Sequence, residues 1–502
     1  MKVKGLRWWV LGLIVLVTII NYLDRNTLGI MWAKIVEDLG LINTEGLSEA
    51  EYNDLSKKLF RDINMVFMVF YGLSQMFSGK LYDKIGTRKG FSISAIVWGI
   101  SDLLTSLATG VKGIMGFRAG LGLGVAGPWP GTVKSNAEWF PQKERATAQG
   151  LFNAGASIGA ILAPILIGVI YAAFGWKWTF VTIGVLAPLW VIPWLIINKK
   201  GPKEHPWITD KEQEYILTGQ PECKVTNDKG LSWGQLLARK KSYAVILGRF
   251  FLDPIWWMFV TWLPIYLGQK YGMDIKQLAT HMWIPYVGAA LGSIVGGWTS
   301  SHFIHMGKSV GFARKAAILI GASILLPSLV WVAFVHEPVT AVLVMAIILF
   351  GYQFTINNIQ TLPGDMYTGK CVGSLAGLGG AAATLGTILM MLFVPMLTAG
   401  DNWTPFFIMG TTSRVQRNVL RMLTSIRKSY HFSSCSTMSL RPTIPPTTLT
   451  RICTTGPNAS AALAKRFFTS AALVISPWTA MALPPSALII STVAAASSGL
   501  SK

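Results

Sequence analysis

An aspartate and an arginine stand side by side near the C-terminal part of the first apolar segment, in residues 21–25 (NYLDR). A charge at the centre of a membrane-spanning helix costs at least about 2.5–3.5 kcal/mol, so charged residues there usually have a partner or face a water-filled cavity. At this depth Asp24 is suited to taking up a proton and Arg25 to holding an anion. The alternative is an ion pair that only locks two helices together.

Composition predicts the structural class. The chain has 502 residues, of which 52% are hydrophobic and 13% charged, and its mean hydropathy is +0.46. A soluble domain has about 25% charged residues, and a spanning helix needs about 20 apolar ones. These values predict an all-α polytopic membrane protein. Eleven spans are expected near residues 8–30, 62–79, 91–109, 113–137, 148–172, 178–197, 243–268, 280–301, 315–335, 339–364 and 372–398, and a twelfth begins around Trp403.

The charges of the loops predict an orientation. Basic breaks follow the second, fourth and sixth spans, whereas the breaks between them are nearly neutral. The positive-inside rule therefore places the N-terminus and the central loop, residues 198–242, in the cytoplasm. We expect the protein in the cell (inner) membrane. The net charge of +21 reflects this topology, so no nucleic-acid partner is expected. The four Cys and six His show no metal spacing and no phosphate-binding loop is present, so we expect neither a cofactor nor an enzyme.

The spans divide into two groups of six around a basic linker. We predict an N-terminal half at 1–197, a central loop at 198–242 and a C-terminal half at 243–412. Two six-helix halves around a central cavity are the plan of the major facilitator superfamily. Residues 79–89 (GKLYDKIGTRK) resemble that family's loop signature, G-x-L-x-D-R-x-G-R-K.

The resemblance implies a conformational latch on the cytoplasmic side. Gly79 and Gly86 permit a tight turn and a close approach of helices, Asp83 can accept hydrogen bonds from a neighbouring helix end, and Arg88 adds a cytoplasmic charge. We assign Arg118, which opens the fourth span, to the same latch.

Further motifs resemble the anion:cation symporter family, and most closely its hexuronate (galacturonate/glucuronate) transporters, over roughly residues 1–412. They are residues 21–25 (NYLDR), 118–122 (RAGLG), 138–146 (EWFPQKERA), 152–155 (FNAG), 163–164 (AP), 253–257 (DPIWW) and 262–264 (WLP). This resemblance implies a monomeric secondary transporter in the lipid bilayer that imports a small sugar-acid anion by proton symport. An exchanger or facilitator of organic anions with the same fold is the alternative.

The resemblance implies that Arg25 binds the substrate carboxylate and that Asp24 carries the proton. Lys134 is either a second cation for the anionic sugar or a loop lysine that reaches the interface. Further substrate contacts are expected at polar and aromatic positions of the spans, namely Tyr22, Tyr71, Gln75, Asn153, Trp256, Trp257, Gln353 and Asn357. Asp253 stands four residues after Arg249, so that it either pairs with Arg249 or helps in proton coupling.

Two departures from the family pattern stand out. Val125 occupies the fourth-span position where many members have a Glu, so a second titratable group is missing. Asp24 is then expected to carry coupling alone or with help from Asp253, and weak coupling is the remaining alternative. Residues 413–502 contain ten Lys or Arg and no Asp or Glu, and they begin where the twelfth span is interrupted after about two turns. A shifted reading frame is the simplest cause, and a genuine basic cytoplasmic tail is the alternative. We expect no site residue beyond 412.

Overall fold

The computed structural model describes residues 2–43, 48–220, 230–273, 275–367, 369, 371–397 and 407. The predicted twelfth span, apart from Phe407, and the basic tail 413–502 lie outside the described residues. The predicted boundaries of the two halves at 197 and 242 stay predictions.

The described part of the chain is almost entirely helical. In chain order they are α1 (Leu6–Asp38), α2 (Glu49–Thr105), α3 (Val111–Val125), α4 (Pro128–Trp139), α5 (Arg145–Ile197), α6 (Asp210–Thr218), α7 (Trp233–Leu237), a short 3-10 helix (Lys240–Ser242), α8 (Tyr243–Tyr271), α9 (Ile275–His281), α10 (Trp283–His305), α11 (Val310–Ala333), α12 (Pro338–Met366) and α13 (Val372–Leu397). Among the residues that the structure describes, six stretches are long and apolar enough to cross a membrane: Leu6–Asp38, Arg145–Ile197, Lys240–Val260, Val310–Ala333, Pro338–Met366 and Val372–Leu392. The predicted all-α class is confirmed.

Glycine breaks the two longest helices. Within α2, Gly86 has φ 83°, and within α5, Gly175 has φ 77°, so each helix contains two successive segments joined at a sharp kink. This left-handed region of backbone conformation costs glycine little, because it has no Cβ. The kinks separate the predicted spans 62–79 and 91–109, and likewise 148–172 and 178–197. The predicted fourth span is also divided, since Pro128 starts a new helix, α4, after α3 has ended.

The helices form two groups, and specific pairs of helices connect one group to the other. In the N-terminal part α1 packs on α5, and α2 packs on α3; in the C-terminal part α12 packs on α10 and α11, and α13 packs on α8. Across the two groups, α5 contacts α10 and α12, and α13 contacts α2 and α4.

Small residues allow these cross-contacts to be very close. A Cβ built on Gly79 of α2 would lie 2.2 Å from the carbonyl oxygen of Gly373 at the start of α13. A Cβ on Gly150 of α5 would lie 2.4 Å from the carbonyl oxygen of Ser293 on α10. Because no side chain fits at these positions, the helices pack backbone against backbone, as small residues permit in membrane proteins.

Candidate substrate and ion sites

A cavity lies where the two groups of helices meet. Helices α1, α2, α4, α5, α8 and α12 all contribute to its wall. The lining residues are Tyr22, Arg25, Tyr71, Trp129, Asn153, Ala156, Arg249, Asp253, Trp256, Trp257, Tyr352, Gln353, Ile356 and Gln360. The wall combines aromatic faces with a few polar groups, as small-molecule sites do.

The guanidinium of Arg25 lies among aromatic rings. Its central carbon is 4.8 Å from the ring centroid of Trp257, 5.1 Å from that of Tyr71, 5.2 Å from that of Tyr22 and 5.7 Å from that of Phe67. The rings stabilise the cation through their faces but leave its N–H donors available. Within the described residues no carboxylate forms a salt bridge with Arg25, although the chain places Asp24 next to it.

The second arginine of the cavity already has an anion. Arg249 donates from Nη2 to Asp253 Oδ2 at 2.7 Å and from Nε to the same oxygen at 3.2 Å, one turn along α8. The hydroxyl of Tyr352 lies beside Asp253, and its ring stacks on Trp256 at a centroid distance of 6.0 Å. The pairing of Arg249 with Asp253, one of the two alternatives from the sequence, is present. Among the described lining residues, Arg25 therefore carries the one unpaired charge.

Carboxamides form the remaining polar wall. Asn153 Nδ2 donates to Gln360 Oε1 at 2.9 Å, and Gln149 Nε2 donates to the same oxygen at 2.9 Å. Gln353 also lines the cavity, and its buried Oε1 has no hydrogen-bond partner among the described residues. These groups can exchange hydrogen bonds with hydroxyls of a ligand.

The structure brings most of the predicted contacts to the cavity but places two of them behind it. Gln75 donates to the Tyr71 hydroxyl at 2.9 Å and therefore supports a lining residue. Asn357 donates to the carbonyls of Ala146 and Ser293, at 3.1 and 3.2 Å, and so joins α12 to α5 and α10.

Sequence reasoning did not name six of the lining residues as site residues: Trp129, Ala156, Arg249, Tyr352, Ile356 and Gln360. Gln360 follows Asn357 by three residues, so it lies near the same helix face and a search by helical spacing would have found it. No sequence signal singled out Trp129, which stands between two prolines.

Lys134 lies in a separate cluster at the loop signature. Its Nζ lies 3.2 Å from Asp83 Oδ1 and 3.3 Å from Glu138 Oε1, and it also donates to the carbonyl of Gly369 at 3.2 Å. This placement differs from the prediction of Lys134 as a second substrate cation. The ammonium is already held by two carboxylates, and Lys134 is not among the residues that line the cavity.

Asp83 bridges the two groups of helices. Its Oδ1 accepts from the backbone N–H of Gly373 at 3.0 Å, and its Oδ2 accepts from that of Ser374 at 2.6 Å. These donors belong to the first turn of α13, where N–H groups have no partner within the helix and a carboxylate is favoured. Arg88, by contrast, stays within the N-terminal group, because it donates to the carbonyls of Leu195 and Lys199 at the end of α5.

A second bridge was missed by sequence reasoning. The buried Asp365, at the end of α12, lies 2.8 Å from Arg314 Nε of α11 and 3.4 Å from Arg145 Nη1 of α5. Arg145 also donates to the carbonyls of Gly364 and Ala137. Two cationic groups from different parts of the chain thus share one carboxylate.

Asp24 and Arg118 meet in a third cluster. Asp24 is fully buried on α1 and interacts electrostatically with Asp102 of α2 and with Arg118 of α3, which are 1% and 2% exposed. Arg118 was predicted to belong to the latch, but its charged neighbours are these two aspartates and Arg25. A second buried acid, Asp102, therefore lies beside Asp24, although Val125 occupies the fourth-span position where many family members have a Glu. Within the described part of the chain, no group of three or more His, Cys, Asp or Glu side chains could hold a metal ion.

Comparisons with known proteins place this architecture in a family. The model of the Major Facilitator Superfamily matches residues 14–391. The hexuronate transporter of Escherichia coli (strain K12) is 31% identical over 409 residues, which are 81% of this chain and 91% of that protein. The galacturonate transporter of Dickeya chrysanthemi is 32% identical over 327 residues, 65% of this chain and 90% of that protein.

A solved structure agrees at the level of the fold. The proton:xylose symporter XylE, bound to 6-bromo-6-deoxy-D-glucose, aligns with a TM-score of 0.64 at 14% identity, covering 85% of this chain and 96% of its own. The resemblance to this superfamily and to hexuronate transporters is confirmed, and so is the prediction that the chain is not an enzyme. The chain is a multi-pass membrane protein that belongs to the Major Facilitator Superfamily.

Proposed function

We propose that this protein imports a sugar acid with one carboxylate, of the hexuronate class, by proton symport. The substrate class is supported by the names of the two relatives, a hexuronate transporter and a galacturonate transporter. The observation that carries the proposal is the guanidinium of Arg25, which lines the cavity and has no carboxylate partner among the described residues.

Each part of a hexuronate has a suitable counterpart in the cavity. A guanidinium can hold a carboxylate through two parallel hydrogen bonds, so Arg25 suits the acid group. The aromatic faces of Trp256 and Trp257 suit the C–H face of a sugar ring. The carboxamides of Asn153, Gln353 and Gln360 suit the hydroxyl groups, since each offers both donors and an acceptor.

The charge balance of the cavity favours a monoanion. Arg25 contributes one unpaired positive charge, while Arg249 and Asp253 neutralise each other. One carboxylate on the ligand brings the total to zero. A second carboxylate would lack a free cation and would meet Asp253, so dicarboxylic sugar acids should bind more weakly.

Alternating access requires that the cytoplasmic contacts separate and re-form. In the present conformation, α2 and α13 are joined through Asp83, and α5 and α12 through Arg145 and Asp365. We propose that Gly79, Asp83 and Gly86, with the turn around them, act as a latch that releases when the cavity opens to the cytoplasm. The cytoplasmic N-terminus and the inner-membrane location are proposed on the loop charges.

Coupling to protons is favoured over simple exchange by the buried acids. A facilitator needs no titratable group at membrane depth, where a charge is costly, yet Asp24 and Asp102 are both buried there. Exchange or facilitated diffusion would give the same uptake with and without a pH gradient.

The test is uptake of radiolabelled galacturonate into proteoliposomes containing Arg25→Ala. Removing two charge-assisted hydrogen bonds, each worth about 1.5–3 kcal/mol, should weaken binding by more than about 100-fold. Arg25→Lys should rescue poorly, because an ammonium lacks the planar fork. Arg61→Ala is the matched control, since Arg61 is exposed and forms a salt bridge with the exposed Asp62.

Two outcomes would contradict the proposal. Wild-type affinity for galacturonate in Arg25→Ala would place the anion site elsewhere. Equal affinity of the wild-type protein for galacturonate and for galactose, which lacks the carboxylate, would show that the cavity does not recognise the carboxylate.

A further inference from the structure

Asp24, Asp102 and Arg118 form a buried cluster from three helices, here called the acid-pair cluster. Their exposed fractions are 0%, 1% and 2%. The two carboxyl groups lie within hydrogen-bonding reach of each other, and the Trp98 indole lies beside Asp24. Yet within the described residues none of the four carboxylate oxygens has an aligned hydrogen-bond donor, and Arg118 Nε is also unpartnered.

Charge and hydrogen bonding both require one proton here. If both acids were ionised, one guanidinium would face two carboxylates, and the cluster would hold a net negative charge that burial strongly disfavours. A single proton brings the total charge to zero. It also supplies the missing donor, because a carboxylic acid can donate to the neighbouring carboxylate.

We propose that the acid-pair cluster is the binding site of the coupling proton, which Asp24 and Asp102 share. This inference rests on the proposed proton symport and names the second acid of that mechanism. Val125 has no titratable side chain, and its backbone carbonyl accepts from Asn21 Nδ2 at 3.3 Å. Asp102, on α2, therefore supplies the carboxyl group that α3 lacks.

The charged side chains around Asp24 and Asp102 are arginines, so the two acids are the groups that titrate. Arg118 of α3 is the cation that faces both acids, and Arg25 follows Asp24 on α1 and interacts with Arg118. Helix α5, which packs along α1, has no Asp, Glu, Lys, Arg or His between Arg145 and Lys177.

The cluster is electrostatically linked to the substrate site through Arg25. Without the proton its net charge of −1 repels a carboxylate that arrives at Arg25, and with the proton this repulsion disappears. Proton binding therefore strengthens substrate binding, and by linkage the substrate strengthens proton binding to the same extent. The proton comes from water on one side of the membrane and returns to water on the other.

The first experiment needs no substrate. Infrared difference spectra of the purified protein at neutral pH, wild type minus Asp102→Asn, should show the C=O stretch of one carboxylic acid. In that variant the remaining Asp24 would pair with Arg118 and stay ionised. Asp24→Asn should lose the same band, because the remaining Asp102 would likewise pair with Arg118. Asp102→Glu should keep it. Asp62→Asn is the matched control, because Asp62 is an exposed acid on the same helix, and its difference spectrum should be flat.

The second experiment measures galacturonate affinity against pH. Wild-type affinity should rise at least about fivefold from about pH 8 to about pH 5. Asp102→Asn has the charge of the protonated cluster, so its affinity should not vary with pH and should equal the wild-type value at acidic pH. It should keep exchange of labelled for unlabelled galacturonate but lose accumulation driven by a pH gradient.

The two experiments separate the possible failures. A carboxylic-acid band that is absent from wild type, or that persists unchanged in Asp102→Asn, would overturn the shared proton. So would pH-driven accumulation in Asp102→Asn at the wild-type level. If galacturonate failed to bind wild type at any pH, the proposed substrate would be wrong, while the infrared result would still decide the proton site.

Discussion

The ion pair between Arg249 and Asp253 should decide whether the transporter accepts sugar acids with one carboxylate or with two. Both side chains are buried in the cavity wall, and the pair is held at 2.7 Å. Asp253→Asn preserves the size of the side chain and removes its charge. The cavity then contains two unpaired guanidinium groups, Arg25 and Arg249, on different helices that face the same space.

The size of the effect follows from the new ion pair. A second ligand carboxylate at about 4 Å from Arg249 gains about 4 kcal/mol at an effective dielectric constant of about 20. Desolvation of that carboxylate and the partial exposure of the cavity offset part of this gain. A net preference of about 1–3 kcal/mol remains, which corresponds to about 5- to 150-fold in relative affinity.

The assay is competition against radiolabelled galacturonate in proteoliposomes. Galactarate, the corresponding dicarboxylic acid, and galacturonate are each titrated as unlabelled competitors against wild type and Asp253→Asn. The ratio of their inhibition constants should move toward galactarate by about 5- to 150-fold in the variant. Thermal unfolding measured with and without each ligand would show whether the variant remains folded, since Arg249 loses its buried partner.

An unchanged ratio of inhibition constants in a folded Asp253→Asn variant would refute this reasoning. It would mean that the charge of Asp253 does not affect the bound ligand, or that the second carboxylate of galactarate does not approach Arg249. Glu337→Gln, at an exposed acid before α12, is the control and should leave the ratio as in wild type.

Two further predictions concern the contacts outside the cavity. Lys134→Ala should leave galacturonate affinity within about twofold of wild type while lowering the transport rate, because Lys134 is held by Asp83 and Glu138. Equilibrium binding measures this affinity, and a loss as large as that of Arg25→Ala would contradict the placement of Lys134 outside the cavity. Gly150→Ala should disfavour the present packing of α5 on α10 by about 1–3 kcal/mol, since its Cβ would lie 2.4 Å from a carbonyl oxygen. Faster hydrogen exchange in α10 would report this change, whereas Gly12→Ala, where nothing lies within 4 Å, should match wild type; equal exchange in both variants would show that the contact is not tight.

The sequence was sufficient for the class, the family and many of the residues that line the cavity. Apolar runs of about 20 residues predict spanning helices because each backbone polar group must be satisfied inside the segment. Arg25 could be singled out because an isolated charge in such a run is rare and costly. The loop signature singled out Asp83, and the structure shows that Asp83 caps the neighbouring helix α13.

Only the tertiary structure decided which charged groups meet. Asp102 joins Asp24, Lys134 joins Asp83, and Asp365 lies between two arginines, and each pairing connects residues far apart in the chain. In a soluble helix the apolar stripe would show which face is inward. In a membrane helix both the lipid-facing and the inward-facing sides are apolar, so the pattern does not report how the helix is rotated, and the partners of its few charges are set by packing alone.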